Sequence, residues 1–231
     1  MKLSLLKDLA DFIYPRTCAA CGQRLLQQEK VLCLLCETDL PQTKFWLEAD
    51  NPVARKFWGK VPIENAASFF YFRKGQRVQK LIHALKYDNR QDVGIEIGNM
   101  FGRHLANSPL YADVQLLLPI PLHPEKKLLR GYNQSDLIAQ GMAEAMGNEW
   151  RNDLLLRQVF TETQTKKSRV ERWLNTKSVF AVENPDYMLN KHILLVDDVI
   201  TTGSTIEGCA VQLLAIDGLR LSVASIALAA H

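Results

Sequence analysis

Hydrophobic residues run through this chain in two rhythms. Residues 66–72 (AASFFYF), 114–122 (VQLLLPIPL), 193–196 (ILLV) and 221–230 (LSVASIALAA) are almost continuously apolar where a half-exposed strand would alternate. Such runs predict strands covered on both faces, as in a parallel sheet between helices. Between them the period lengthens. In 78–90 (VQKLIHALKYDNR), Val78, Leu81, Ile82 and Leu85 share one helical face, and 93–106 (VGIEIGNMFGRHLA) continues as a second helix. Lys86 ends the first of these, where a cation offsets the helix dipole. A further helix is predicted within 123–146, and another from Ile206, Val211, Leu213 and Leu214. The order of elements predicts an α/β domain.

The most informative stretch is 192–205 (HILLVDDVITTGST), which reads as buried strand, acidic pair, hydroxyl-and-glycine turn, helix. Thr201, Thr202, Ser204 and Thr205 supply hydroxyls, and Gly203 lets backbone come close. The start of the following helix adds free N–H groups and partial positive charge, so the turn suits a phosphate. It contains no lysine and matches neither a nucleoside-triphosphate loop nor a GxGxxG turn, which leaves a single phosphate monoester. Asp197 and Asp198 accept hydrogen bonds only, which suits the vicinal hydroxyls of a ribose, with Mg²⁺ as a further guest. A ribose 5-phosphate is the implied ligand. The alternative, that Ser204 or Thr205 merely caps a helix, needs one such residue rather than this whole set. VDDVITTGST resembles the 5-phosphoribosyl-1-pyrophosphate (PRPP) signature of type I phosphoribosyltransferases. In that family the acidic pair holds the ribose hydroxyls and the turn holds the 5-phosphate.

A second motif lies near the start. Cys18, Cys21 and Cys33, Cys36 form two CxxC pairs, a spacing that suits a four-thiolate zinc site, with an iron–sulfur cluster or redox pairs as the alternatives. Such a shell is closed, so the metal is expected to be structural and to supply most of the segment's folding energy. Cys209 stands apart and reads as a core residue. Residues 40–62 carry Pro41, Pro52, Pro62 and Gly59 with Trp46 and Trp58, a connector packing through aromatics. The division is therefore drawn as 1–60 (helix, cysteine module, connector) and 61–231 (the α/β domain).

Composition changes this picture little. At 231 residues, 47% hydrophobic and formally +3, the chain has enough apolar material for a real core, and its charge alone does not argue for nucleic acid. The first residues place Leu5, Leu6, Leu9, Phe12 and Ile13 on a helical period interrupted by Lys7, Asp8 and Asp11, a short amphipathic helix rather than a signal peptide. No stretch reaches the roughly 20 apolar residues that span a bilayer, so a cytoplasmic protein is expected.

After the strand at 114–122 comes a basic loop with Lys126, Lys127 and Arg130, in which Gly131 permits close backbone approach. In open α/β sheets ligands sit at the carboxyl ends of strands, the edge this loop shares with the turn at 201–205. PIPL followed by RGYNQ is similar to a segment of the ComF competence-protein family, and the similarity continues through Arg157, Thr161, Gln164, Ser168, Arg169, Arg172, Asn175 and Phe180. It implies a type I phosphoribosyltransferase-like parallel-sheet domain behind a zinc-ribbon-like module. Arg130 and Gly131 would serve as the pyrophosphate loop, and Arg169 and Arg172 would belong to a hood over the site. It also implies binding of PRPP with Mg²⁺ and a role in DNA uptake during natural transformation, alongside recombination or uptake proteins. Three functions stay open: pentosyl transfer from PRPP, PRPP sensing, and single-stranded DNA binding. For the last, Arg16, Arg24, Lys44, Arg55, Lys56 and Lys60 interleave with Trp46 and Trp58, a mixture suited to phosphate contact and base stacking, or else to solvated charge over packed tryptophans.

Overall fold

The computed structural model describes residues 15–158 and 179–229. The amphipathic helix expected in 1–13 and the hood at 164–175, with Arg169 and Arg172, lie outside them. Helix α1 (Leu34–Asp39) follows Cys33, and two 3₁₀ turns, Phe45–Leu47 and Ala54–Lys56, shape the connector. Then come β1 (Ala66–Phe72), α2 (Arg77–Tyr87), α3 (Gln91–Ala106), β2 (Leu116–Pro119), α4 (Pro124–Arg130), α5 (Gln134–Met146) and β3 (Glu149–Trp150). The chain continues with β4 (Leu155–Arg157), β5 (Phe180–Val182), β6 (His192–Ile200), α6 (Ser204–Leu213) and β7 (Arg220–Ala229).

Five strands form one sheet in the order β1-β7-β6-β2-β3, every pair parallel, while β4 and β5 make a separate antiparallel pair. The α/β class read from the sequence is observed. Ile193, Leu194, Leu195 and Val196 in β6 are fully buried, the environment their unbroken apolar run required. Cys209 is buried in α6, as a core residue.

One element differs from the reading. The basic loop at 124–130 is a short helix, α4, begun by Pro124 and by the His123 ring, whose Nδ1 accepts from the Glu125 N–H at 3.3 Å. None of its residues is buried, so its turn of helix rests on these local caps rather than on an apolar face. Gly131 ends it at φ +79°, the left-handed conformation in which glycine carries no side-chain penalty.

Helix α5, which leads from α4 to the sheet, is placed by a backbone-to-backbone seam with α3. A Cβ at Gly98 would lie 2.3 Å from the Ile138 carbonyl oxygen, and one at Gly141 would lie 2.0 Å from that of Ile95. Only glycine allows this approach, and it fixes where the N-terminus of α5 meets the carboxyl edge of the sheet.

The opposite edge is pinned by a polar network. His192, fully buried, bonds Asp113 Oδ1 through Nδ1 (2.7 Å) and Ser222 Oγ through Nε2 (2.8 Å), and Arg220 joins Asp113 and Glu64. The order Ser–His–Asp is that of a hydrolase triad, but Ser222 is sealed from solvent. The network ties the starts of β6 and β7 together.

The connector packs into the same core. Trp46 is 4% exposed and lies against Phe69, Phe101 and His104, whereas Trp58 is 59% exposed. Leu25, Val31 and Leu32 of the cysteine module belong to the buried cluster that includes the sheet.

Candidate functional site

The site is built at the end of β6. Asp197 and Asp198 are adjacent and both half-buried, with the Asp198 N–H donating to Asp197 Oδ1 at 2.8 Å. Ser135, at the start of α5, lies with its hydroxyl 3.5 Å from Asp197 Oδ1. On the other side Lys86 Nζ approaches Asp198 Oδ2 to 2.7 Å, with only 21% and 15% of the two side chains exposed. Burial, then the neighbouring Asp198 charge, push Asp197 from its ordinary 3.8 up to about 7. Lys86 is therefore more than a cation offsetting the dipole of α2. Its partner lies 112 positions along the chain and is met only in the folded state, so no local pattern points to it.

Beyond the pair, Gly203 turns the chain at φ +90° and is itself the N-cap of α6. The N-cap glycine has no side chain to offer, and the Ser204 N–H donates to Thr202 Oγ1 at 3.4 Å, so neither Ser204 nor Thr205 plays the capping role. Thr201, Thr202, Ser204 and Thr205 are all exposed around the turn, with Thr202 Oγ1 and Ser204 Oγ 3.0 Å apart. A ten-residue helix begun by a glycine, with four hydroxyls around its start, offers an anion hydrogen-bond donors from several directions. The turn rests on the connector: a Cβ at Gly203 would come within 2.9 Å of the Phe57 ring, which is 1% exposed. Lys60 Nζ, 2.7 Å from Glu207 Oε1, draws an acidic side chain of the first helical turn into an ion pair. Phe57 and Lys60 are parts of the site that the sequence reading did not assign.

Arg130 and Gly131 stand on the same edge of the sheet, after β2. The Arg130 guanidinium donates to Gln134 Oε1 at 2.9 Å and lies over the Tyr87 ring, at the end of α2 beside Lys86. Tyr132 donates its hydroxyl proton to the Leu85 carbonyl, so the glycine turn is latched to the last turn of α2. Lys126 and Lys127 are exposed.

Cys18, Cys21, Cys33 and Cys36 come together, with their sulfurs all within 4.8 Å of one another. Cys21 and Cys33 Sγ are 3.7 Å apart, close to the roughly 3.8 Å edge of a zinc–thiolate tetrahedron with 2.3 Å bonds. The Cys33 N–H points at Cys18 Sγ at 3.4 Å, a bond that favours thiolate. The cluster could hold a metal ion such as zinc.

The DNA surface suggested by the connector is not formed as expected. Trp46 is buried and cannot stack on a base. Arg55 is paired with Asp50 and Lys60 with Glu207, and Arg16 donates to the carbonyls of Leu26, Gln27 and Glu29. Among the described residues no helix is long and apolar enough to cross a membrane.

Known proteins bear on this geometry. No family model matches the chain. DNA utilization protein YhgH of Escherichia coli (strain K12) is 28% identical over 200 residues, 85% of this chain and 83% of that protein. Competence protein F of Haemophilus influenzae is 36% identical over 95 residues (40% and 41% of the two chains), and competence protein ComFC of Bacillus subtilis is 34% identical over 136 residues (58% and 53%). The chain is similar to these ComF and YhgH proteins. Among solved structures, glutamine PRPP amidotransferase from B. subtilis overlaps with a TM-score of 0.42 at 18% identity, covering 61% of the ComF-like chain and 30% of that one. Adenine phosphoribosyltransferase from Leishmania tarentolae overlaps with a TM-score of 0.37 at 13% identity, covering 79% and 89%.

The raised Asp197 has a consequence for stability. Because the folded carboxyl holds its proton up to about 7 and the unfolded one only to about 3.8, folding takes up a proton between these values. Stability should therefore fall as pH rises through that window and level off above it. Asp197→Asn removes the ionisation, so urea denaturation should find the variant more stable than the parent at pH 8, on the order of 2 kcal/mol, with the gap narrowing at pH 5. An equal gap at both pH values would contradict the assigned shift.

Proposed function

We propose that this ComF-like protein binds PRPP with Mg²⁺ at the end of β6 and acts in DNA uptake or utilisation. The observation that carries the reading is the half-buried acidic pair set beside a glycine-started, hydroxyl-rich helix on the carboxyl edge of a parallel sheet. Thr201, Thr202, Ser204, Thr205 and the N–H groups above Gly203 would receive the 5-phosphate. Asp197 and Asp198 would accept from the ribose 2- and 3-hydroxyls and hold the metal, and Arg130 with the Gly131 turn would face the diphosphate. When bound, Mg²⁺ neutralises diphosphate charge and so makes it a better leaving group. The chain's part in pentosyl transfer is to position the anomeric carbon and to stabilise the departing anion by charge. Chemistry of this kind needs no general base from the protein. The hood residues Arg169 and Arg172 are proposed to close over the diphosphate.

The cysteine cluster is proposed as a closed, structural zinc site, and the chain as two parts, 1–60 and 61–231. Metal analysis should return about one zinc per chain. Cys33→Ser should lose it, and unchanged metal content in that variant would contradict the assignment.

A nucleic-acid partner is supported by the names of the relatives and by one surface. Arg73, Lys74, Arg77, Lys80 and His83 are exposed along α2 and the turn before it, with Tyr87 65% exposed at the far end, a basic track with an aromatic platform. Oligonucleotide binding that weakens with salt, and weakens further in Lys74→Glu with Lys80→Glu, would support it.

Calorimetry with PRPP and Mg²⁺ tests the main reading. The parent should bind, and Asp197→Asn with Asp198→Asn should bind at least about a hundredfold more weakly, since amides replace two charged acceptors. Equal affinity in the double variant would remove the ribose assignment.

A further inference from the structure

Lys86 is seated on one carboxylate of the acidic pair, and several contacts fix the helix that carries it. Val78, Leu81, Ile82 and Leu85 are buried and fix the rotation of α2. Arg77 is paired with Asp39 of the cysteine module at one end. Near the other, Tyr132 bonds the Leu85 carbonyl, and Arg90 reaches the Thr17 carbonyl at 3.4 Å while forking onto Asp92. The helix therefore delivers Lys86 to Asp198 from a fixed platform, while the lysine stem and its three rotatable donors stay free to re-aim. Asp198 and the adjacent Asp197 offer two carboxylates, and Lys86 is an ammonium already seated on one of them.

From this we propose that Lys86 is a place-holding cation that makes metal entry depend on the diphosphate of the substrate, an inference that rests on the PRPP reading above. A free divalent ion arriving alone must compete with an ammonium 2.7 Å from Asp198 and gives that ammonium nowhere to go. A metal carried in on a diphosphate brings anionic oxygens to which the ammonium can transfer, so the carboxylate exchanges one cation for another and no charge is left unpaired. Lys86 acts in this scheme as a binding residue for the diphosphate and as a guard of the acidic pair. Arg130, over the ring of the neighbouring Tyr87, stands on the same edge of the sheet.

The test measures Mn²⁺, PRPP and ribose 5-phosphate separately by calorimetry, on the full chain and on Lys86→Met and Lys86→Arg, with thermal unfolding run alongside. Lys86→Met should bind free Mn²⁺ about tenfold more tightly than the parent, because the competing charge is gone. The same variant should bind PRPP with metal about tenfold more weakly while ribose 5-phosphate, which lacks the diphosphate, is held as well as by the parent. Lys86→Arg keeps the charge and should keep weak Mn²⁺ binding, which separates competition from damage to the fold. Free Mn²⁺ bound no more tightly by a folded Lys86→Met would overturn the place-holding role, and equal losses for PRPP and ribose 5-phosphate would overturn transfer to the diphosphate. Should the parent bind neither sugar phosphate, the reading of the site as a PRPP pocket falls, while the Mn²⁺ comparison still decides whether Lys86 guards the pair.

Discussion

Two carboxylates side by side at the end of a strand with a fully buried apolar run set the terms for what surrounds them. Repulsion between them and their removal from water both disfavour ionisation, and Asp197 responds by holding its proton to about 7. Each neighbour supplies something that bare burial would withhold: a lysine 2.7 Å from Asp198, a serine hydroxyl near Asp197, and beyond them the open N-terminus of α6. An arrangement that costs stability in the free protein is ready to gain from a ligand bearing hydroxyls and a cation. This is the usual physical mark of a binding site and is hard to explain as a structural feature.

The elements before the sheet take part in this arrangement. Phe57 lies beneath Gly203 and Lys60 holds Glu207, so the connector supports the turn at 201–205 directly. Asp39 anchors Arg77 at the start of α2, and the same helix carries Lys86 to the acidic pair. The cysteine cluster thus stabilises a module that braces two sides of the site. Closing it with a metal would supply rigidity where few apolar residues are available for a core.

Much of this was legible in the residues. The unbroken apolar run of β6 announced a doubly covered strand, and the spacing of the CxxC pairs brought four sulfurs together as expected. Asp197 through Thr205 form one continuous segment, so their strand, turn and helix could be read together. Lys86 could not, since its meaning depends on a partner 112 positions away. Phe57 was hidden for a similar reason: a lone aromatic in a Pro-rich connector does not reveal which glycine it supports. The tryptophans left packing and base stacking both open because burial decides between them, and Trp46 and Trp58, so alike in sequence context, differ in it. The α4 segment read as loop because it has no apolar face, and only its caps make it helical.

A crystal structure with PRPP and Mg²⁺ bound is the most direct test of the site. The 5-phosphate is expected in the turn from Thr201 to Thr205, the ribose hydroxyls on Asp197 and Asp198, and the Lys86 ammonium moved from Asp198 to the diphosphate. A ligand seated elsewhere on the protein, or a turn left empty at saturating PRPP, would contradict the account.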